Sequence, residues 1–464
     1  MFTKEIYTNR REVLKSKFES GILLFPGNGE SPMNYTDNTY RFRQDSSFSY
    51  YFGINFPNLV GVIDIDENKS WIFGNDYTID DIVWMGSQAS IAERVQPFGI
   101  EHIAPLSHLE TYLTKALQKV RKIHYLPPYR AETKIQLLNW LDIHPQKVME
   151  GASTQFVKAV VNQRNIKSAE EIKEIEKAVN ITVDMHLAAM HMVRPGITEA
   201  QIAARVHEVA LAAGADISFP IIATINGQTL HNHYHGNTLE KGKMFLLDAG
   251  AELESLYCGD MSSTIPVDLK FTPRQREIYN IALKGHEAAI AALQPGIRFM
   301  DIHLLAARTI AEGLKELGLM KGDAEEAVIK GAHALFFPCG LGHMMGMDVH
   351  DMENLGEVYV GYDGKPKSTM FGLKSLRLGR ELEPGHVLTI EPGIYFIPEL
   401  IDVWKAEKRH EEFLNYDKIE TYRNFGGLRN EEDFVITEDG YKLLGKPLPK
   451  TVDSVEYERA KPRI

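Results

Sequence analysis

The spacing of apolar positions divides the chain into two regimes. In the first, the runs Gly21–Phe25 (GILLF), Leu59–Ile65 (LVGVIDI) and Ser70–Gly74 (SWIFG) have strand length and polar or turn-forming flanks. They alternate with segments of helical period such as Ile135–Leu141 (IQLLNWL). Strands alternating with helices predict an α/β domain. A long helical run then begins, and Ser168 and Glu171 stand ahead of it at capping-box spacing. The boundary therefore falls near residues 150–168, giving domains 1–160 and 161–464.

The second regime contains a faint internal echo. Arg194-Pro-Gly-Ile197 and Gln294-Pro-Gly-Ile297 stand one hundred residues apart, and each precedes an amphipathic helix. Two similar half-domains related by pseudo-two-fold symmetry would produce this pattern, although Pro-Gly before a helix also recurs by chance. Four strand-like segments follow: KMFLLDAGAEL, YCGDMSSTIPVDL, HVLTIEPGIYF and LRNEEDFVITEDG. The whole reads as an α/β (α+β) protein with two large domains.

Composition narrows the class. Apolar residues at 44% and charged residues at 25% are the values of a soluble globular enzyme. A net charge of −12 with no basic cluster argues against nucleic acid or an anionic membrane as the main partner. The first residues carry neither an apolar export segment nor a small-residue cleavage site, so a cytoplasmic location is expected. The two cysteines, Cys258 and Cys339, are then expected to be reduced thiols.

Four acids lie within or at the ends of the strand-like segments: Asp248 in LLDAG, Asp260 in CGDMS, Glu391 in TIEPG and Glu431 in LRNEED. Each alone has a plain structural explanation, as a turn residue, a local cap or a surface acid. Together with His343 in GLGHMMG they form an oxygen-rich set that requires no thiolate. Such a set suits two hard or borderline divalent ions, Mn²⁺, Co²⁺ or Mg²⁺, better than a structural zinc cluster. A pair of such ions about 3.5–4 Å apart can activate a shared water and hold a substrate carbonyl, so hydrolysis is the expected reaction.

The segments LLDAG, CGDMSSTIPV, GLGHMMGMDVHD, LTIEPGIY and FGGLRNEED resemble, in order and spacing, the ligand-bearing segments of the pita-bread metallopeptidases. These are the prolidase (Xaa-Pro dipeptidase) and aminopeptidase P family. Asn38–Ser46, with Phe48 and Tyr51, is similar to the signature of the family's N-terminal domain. The resemblance implies an N-terminal aminopeptidase P-like domain followed by a C-terminal pita-bread domain. It implies two metal ions, foremost Mn²⁺ with Co²⁺, Zn²⁺ or Mg²⁺ as alternatives. Asp248 and Asp260 would chelate one ion, His343 and Glu391 would serve the other, and Glu431 would bridge with Asp260. A hydroxide shared by the ions would be the nucleophile and Glu391 would pass on its proton. His350 would stabilise the tetrahedral intermediate, His231 would bind substrate and Arg429 would orient a ligand or the substrate. His233 and His235 lie close enough to His231 to compete for its role.

The substrate implied is a small peptide with proline second. A bond to proline nitrogen has no N–H, so a site can cradle the ring instead of supplying an acceptor. GLKSLR is similar to the GLRSLR of prolidases, whose first arginine can hold a terminal carboxylate; here Lys374 takes that place. This favours Xaa-Pro dipeptides, with aminopeptidase P action on longer peptides as the alternative. A homodimer or higher assembly is also implied, with the N-terminal domain near a neighbour's active site.

Three departures bear on the site. Asp248 and Asp260 are twelve residues apart, one more than is usual, so a longer turn or bulge is expected between them. Ser263 replaces an arginine, and Cys339 replaces a histidine that contacts substrate in relatives. Two rival readings therefore stand beside the metallopeptidase: a cysteine hydrolase using Cys339 with His343 or His350, and a non-catalytic pita-bread interaction protein. Creatinase-type enzymes share the fold but lack the five ligands.

Overall fold

A computed structural model describes residues 2–461. The chain forms two compact units, one running to Arg164 and including Asn354–Tyr359, the other comprising Asn165–Glu353 and Val360 onward.

The first unit is built on a five-stranded mixed sheet. Its strands are β1 (Ile22–Pro26), β2 (Val60–Asp64), β3 (Lys69–Phe73), β4 (His102–Ala104) and β5 (Ile123–Tyr125), in the order β4-β3-β2-β1-β5. The β1–β2 and β2–β3 pairs are antiparallel hairpin-like neighbours, whereas β4 and β5 join the edges in parallel. Ile22, Leu24, Val60, Val62 and Phe73 form its core with Leu109 and Leu113 from the helix Leu109–Gln118. The Gln44-Asp45 pair in the signature segment holds its own loop together. Gln44 Oε1 accepts from the backbone N–H groups of Asn28 and Asp45, at 2.6 and 2.8 Å. Asp45 caps the helix Ser46–Phe52 by accepting from Phe48 N–H. Phe48 and Tyr51 are fully buried.

The second unit repeats one plan twice. Ser168 caps the helix Ala169–Met192 in a complete capping box with Glu171. That helix packs on Glu199–Ala212, and later Pro273–Ala291 packs on Phe299–Glu316. Between the members of each pair lies a Pro-Gly turn with glycine in the left-handed region, Gly196 at φ 90° and Gly296 at φ 83°. Each turn pairs with a segment entering a sheet: Gly196 N–H donates to the Leu239 carbonyl and Leu239 N–H to that of Ile197. In the second half Gly296 donates to Leu382 and Leu382 to Ile297. Nine residues beyond Leu239 stands Asp248, and nine beyond Leu382 stands Glu391. The echo of the Pro-Gly-Ile motifs is thus a structural repeat, and it delivers one acid from each half.

The strands of this unit are β6 (Asp216–Ile217), β7 (Ile222–Thr224), β8 (Met244–Ala249), β9 (Ala251–Glu252), β10 (Met261–Pro266), β11 (Val387–Ile390), β12 (Gly393–Tyr395), β13 (Gly427–Arg429), β14 (Glu432–Thr437) and β15 (Gly440–Leu443). They form sheets ordered β10-β8-β7 and β11-β14-β15, with short β12-β13 and β6-β9 pairs. Two segments that read as single strands are broken. HVLTIEPGIYF divides at Glu391-Pro392 and LRNEEDFVITEDG at Asn430-Glu431. At each break the chain leaves one sheet for another, and Pro392 has no N–H with which to continue a ladder. At the first break only the Glu-Pro pair interrupts an apolar run, whereas the second falls within the polar run Arg429–Asp433.

Candidate active site

Strand register places the acids. Asp248 on β8 lies opposite Ser262 of β10, and Asp260 stands immediately before β10. The connection between the aspartates turns at Leu253–Tyr257, with Leu256 at φ 68° and Leu253 N–H donating to the Tyr257 carbonyl. Gly250 is required there, because a Cβ on it would lie 1.9 Å from the Gly259 carbonyl oxygen. Glu391 follows β11, and its N–H donates to the Leu341 carbonyl at 2.7 Å. His343 N–H donates to Thr389 Oγ1, and a Cβ on Gly342 would come within 2.0 Å of the Thr389 carbonyl oxygen. Glu431 N–H donates to the Ser262 carbonyl at 2.9 Å, closing the set against β10.

The side chains converge. Among the described residues Asp260, His343 and Glu431 bring ligand atoms within 4.8 Å of one another. His343 Nε2 lies 3.3 Å from Asp260 Oδ2 and 3.6 Å from Glu391 Oε1. Its Nδ1 faces the Met344 carbonyl at 3.0 Å, so Nδ1–H donates there and Nε2 is turned toward the acids. Asp248 is held by Arg429 Nη2. Arg429 also donates from Nε to Ser262 Oγ at 2.8 Å and from Nη1 to Tyr395 Oη at 2.9 Å. Ser262 Oγ in turn donates to Glu431 Oε2 at 2.8 Å. Sequence reasoning found Arg429 but missed Ser262 and Tyr395. Their signals were position alone, two residues after Asp260 and four after Glu391.

The cluster is short of positive charge. Burial raises the Glu431 carboxyl well above its usual range, and Asp260, Glu391 and Asp248 push it further. Burial likewise raises Asp260, and it lifts Glu391 to about 7. Burial works against charging His343, but its hydrogen bond to Asp260 and the nearby Glu391 win, and its pKa rises. Asp260 Oδ1 is buried with no hydrogen-bond donor among the described residues. Several buried carboxylates, an oxygen without a donor and an imidazole presenting Nε2 fit divalent cations, which would supply the missing charge.

The neighbouring residues differ in their fit. The His350 ring meets the His343 ring edge-on at 4.3 Å, and its Nδ1 lies 2.6 Å from Glu353 Oε2. Burial and the adjacent His343 push His350 down to about 4. Burial lowers the pKa of His231, as does Arg429, with Asp248 acting in opposition. His235 is tied by Nε2 to the Ile221 carbonyl at 2.9 Å. Lys374 is exposed, with Nζ 5.6 Å from the Phe371 ring. The chain turns between Met370 and Leu376, and the cation that reaches Glu353 is Arg377. Ser263, in the arginine's place, bonds to His186 Nδ1 at 2.7 Å, while His186 Nε2–H donates to the Ala249 carbonyl. The exchange thus gives the Asp248 strand a buried neutral histidine as a backing.

Cys339 is partly buried, with Sγ 4.0 Å from Tyr395 Oη. Burial and the nearby Glu391 push its thiol up to about 12, the opposite of what a nucleophile needs. Cys339→Ser is therefore expected to keep hydrolysis within about tenfold of the parent, because no covalent step passes through the thiol. Loss of all activity, measured on proline peptides with metal present, would restore the cysteine-hydrolase reading.

Buried acids gathered in this way characterise hydrolases that work through divalent metal ions. Residues 173–438 match metallopeptidase family M24, and residues 7–124 match the aminopeptidase P N-terminal domain. The chain belongs to metallopeptidase family M24, with an aminopeptidase P-type N-terminal domain before a pita-bread catalytic domain. It is similar to the Xaa-Pro dipeptidase of Homo sapiens, 30% identical over 449 residues that cover 94% of this chain and 88% of the human one. A probable Xaa-Pro aminopeptidase of Fusarium vanettenii is 31% identical over 443 residues, covering 94% and 92% of the two chains. Among solved structures, proline aminopeptidase P II from Yersinia pestis aligns with a TM-score of 0.83 at 29% identity, covering 99% of this chain and 100% of that one. An Escherichia coli aminopeptidase P in complex with substrate gives 0.82 at 28%, with 99% and 98% covered. None of the helices in the described residues is long and apolar enough to cross a membrane.

Proposed function

We propose that the chain hydrolyses the peptide bond preceding proline in short peptides, using two divalent ions, foremost Mn²⁺. Asp248, Asp260, His343, Glu391 and Glu431 would hold the ions. The observation that carries this is the charge deficit of the cluster, with Asp260 Oδ1 buried and lacking a donor. When bound, the ions would acidify a water and polarise the scissile carbonyl.

The chain's own groups account for the rest. Glu391, a carboxylate at the edge of the cluster, would take a proton and return it to the leaving proline nitrogen. His350 has Nδ1 engaged by Glu353, so Nε2 is the nitrogen left for the carbonyl oxygen. His350 is held neutral at rest, so Nε2 would bind a proton only as negative charge develops on the oxygen, with Glu353 balancing the imidazolium. Arg429 holds and aims the Asp248 carboxyl group, and through Ser262 it reaches Glu431. His231, in electrostatic range of Arg429 and Asp248, would contact the bound peptide.

Two substrate lengths remain in play. The GLKSLR resemblance favours Xaa-Pro dipeptides, whereas the engagement of Arg377 by Glu353 favours peptides that continue past proline. Purified protein loaded with Mn²⁺ is expected to release the first residue from Xaa-Pro or Xaa-Pro-Xaa substrates and to stop on chelation. No cleavage of either with metal restored refutes the activity.

A further inference from the structure

Glu353 follows His350 by three residues, and no ligand motif singles it out. A single oxygen, Oε2, meets both His350 Nδ1 at 2.6 Å and Arg377 Nε at 3.2 Å. The bond from His350 chiefly, with burial opposing and the Arg377 charge assisting, holds the Glu353 carboxyl down at about 2. Glu353 is thus a fixed anion at neutral pH. Arg377 is near enough for its charge to lower both His231 and His350. Ring contact and hydrogen bonds therefore connect the imidazole of His343, through His350 and Glu353, to the Arg377 guanidinium.

This inference rests on the reading that the bond preceding proline is cleaved with its carbonyl at His350. In a dipeptide the carboxylate is attached to proline Cα, the atom bonded to the scissile nitrogen. It must fall within about one residue's span of that carbonyl, ~3.8 Å between successive Cα atoms. A guanidinium there would reward a carboxylate with paired hydrogen bonds. Here a carboxylate is already on that guanidinium, and its own charge would repel a second. In a longer peptide the same position is a neutral amide, which meets no such repulsion.

We propose that Glu353 is a specificity-determining residue: it occupies Arg377 in place of a substrate carboxylate and sets the enzyme against free Xaa-Pro dipeptides in favour of peptides extended beyond proline. Discrimination of this kind comes from a built-in repulsive element rather than from a better fit to the preferred substrate.

The test compares kcat/KM for an Xaa-Pro dipeptide, its C-terminal amide and the matching Xaa-Pro-Xaa tripeptide on the Mn²⁺-loaded enzyme. Glu353→Gln keeps an acceptor for His350 Nδ1–H but removes the charge. Damage to His350 lowers all three substrates together, so the ratio of dipeptide to amide isolates the effect on the carboxylate. That ratio is expected to rise about tenfold, mainly through KM, as one like-charge contact at a partly exposed site is removed. Adding Arg377→Met to Glu353→Gln is expected to return it to the starting value. A ratio that stays the same or falls in Glu353→Gln overturns the proposal, as does a rise that survives removal of Arg377. Failure of the unaltered enzyme to cleave any of the three would overturn the proposed activity and this proposal with it. Cleavage with an unmoved ratio overturns the role of Glu353 alone.

Discussion

Asp260→Asn is expected to make the metal-free protein more stable than its parent while abolishing the stabilisation that Mn²⁺ gives. In the parent, burial raises Asp260 and Glu431, Asp248 adds repulsion to both, and Glu391 is lifted from 4.5 to about 7. A carboxyl whose folded value lies above its unfolded one binds its proton more tightly in the folded state. Its stabilising contribution is complete below the unfolded value and is lost as pH rises through the folded one. The metal-free parent should therefore lose stability between about pH 4.5 and 7, and the asparagine variant should show a shallower loss. Metal reverses the sign of the parent's problem, adding about 2.7 kcal/mol at one hundred times its Kd. The variant lacks one of the proposed ligands, so this gain should vanish, and hydrolysis should fall by at least about 100-fold, the upper range for groups that merely support a ligand. Melting curves with chelator and with Mn²⁺, taken across pH, read all of this. A destabilised metal-free variant that retains the Mn²⁺ shift would contradict the proposed ligand role of Asp260.

The second large effect is expected at Arg429. Its guanidinium is buried and donates to Asp248, Ser262 and Tyr395. Arg429→Leu would leave the buried Asp248 carboxyl group without that partner, a loss of ~3–5 kcal/mol for a broken buried pair. Arg429→Lys keeps the charge but cannot donate in three directions from a planar group, so an intermediate loss is expected. Urea unfolding of the metal-free protein measures both through the shift in midpoint. A loss under about 1 kcal/mol for Arg429→Leu would mean that the pair adds little to the fold.

The sequence was most informative where chemistry and period coincide. The strand runs around Leu23, Val62 and Ile72 and the helix after Ser168 appear as expected, because each buries one face and is bounded by turn or capping residues. The acids were conspicuous because a carboxylate in an apolar strand is costly unless something compensates it. What stayed hidden depends on register or on turns. Asp248 faces Ser262, not Asp260, and only strand pairing reveals this. The changes of sheet at Glu391 and Glu431 follow from strand pairing, which the sequence does not show. Lys374 and Arg377 are three residues apart in one basic segment, and the turn at Met370–Leu376 decides which of them reaches Glu353. His186 was invisible because its role is set by Ser263, a residue distant in sequence.

The doubled plan of the catalytic unit also bears on how the enzyme is made. Asp248 and Asp260 belong to the first half, while His343, Glu391 and Glu431 come from the second. A chain growing at roughly 5–20 residues per second takes about 10–40 s to add the ~180 residues between Asp248 and Glu431. Throughout that interval the nascent polypeptide carries two aspartates with no partners from the second half. With the proposed ligand set, metal capture would belong to the end of synthesis, when the last strands close the sheet, and a ribosome-bound fragment stopped before residue 391 should exchange a divalent ion as freely as an unfolded chain.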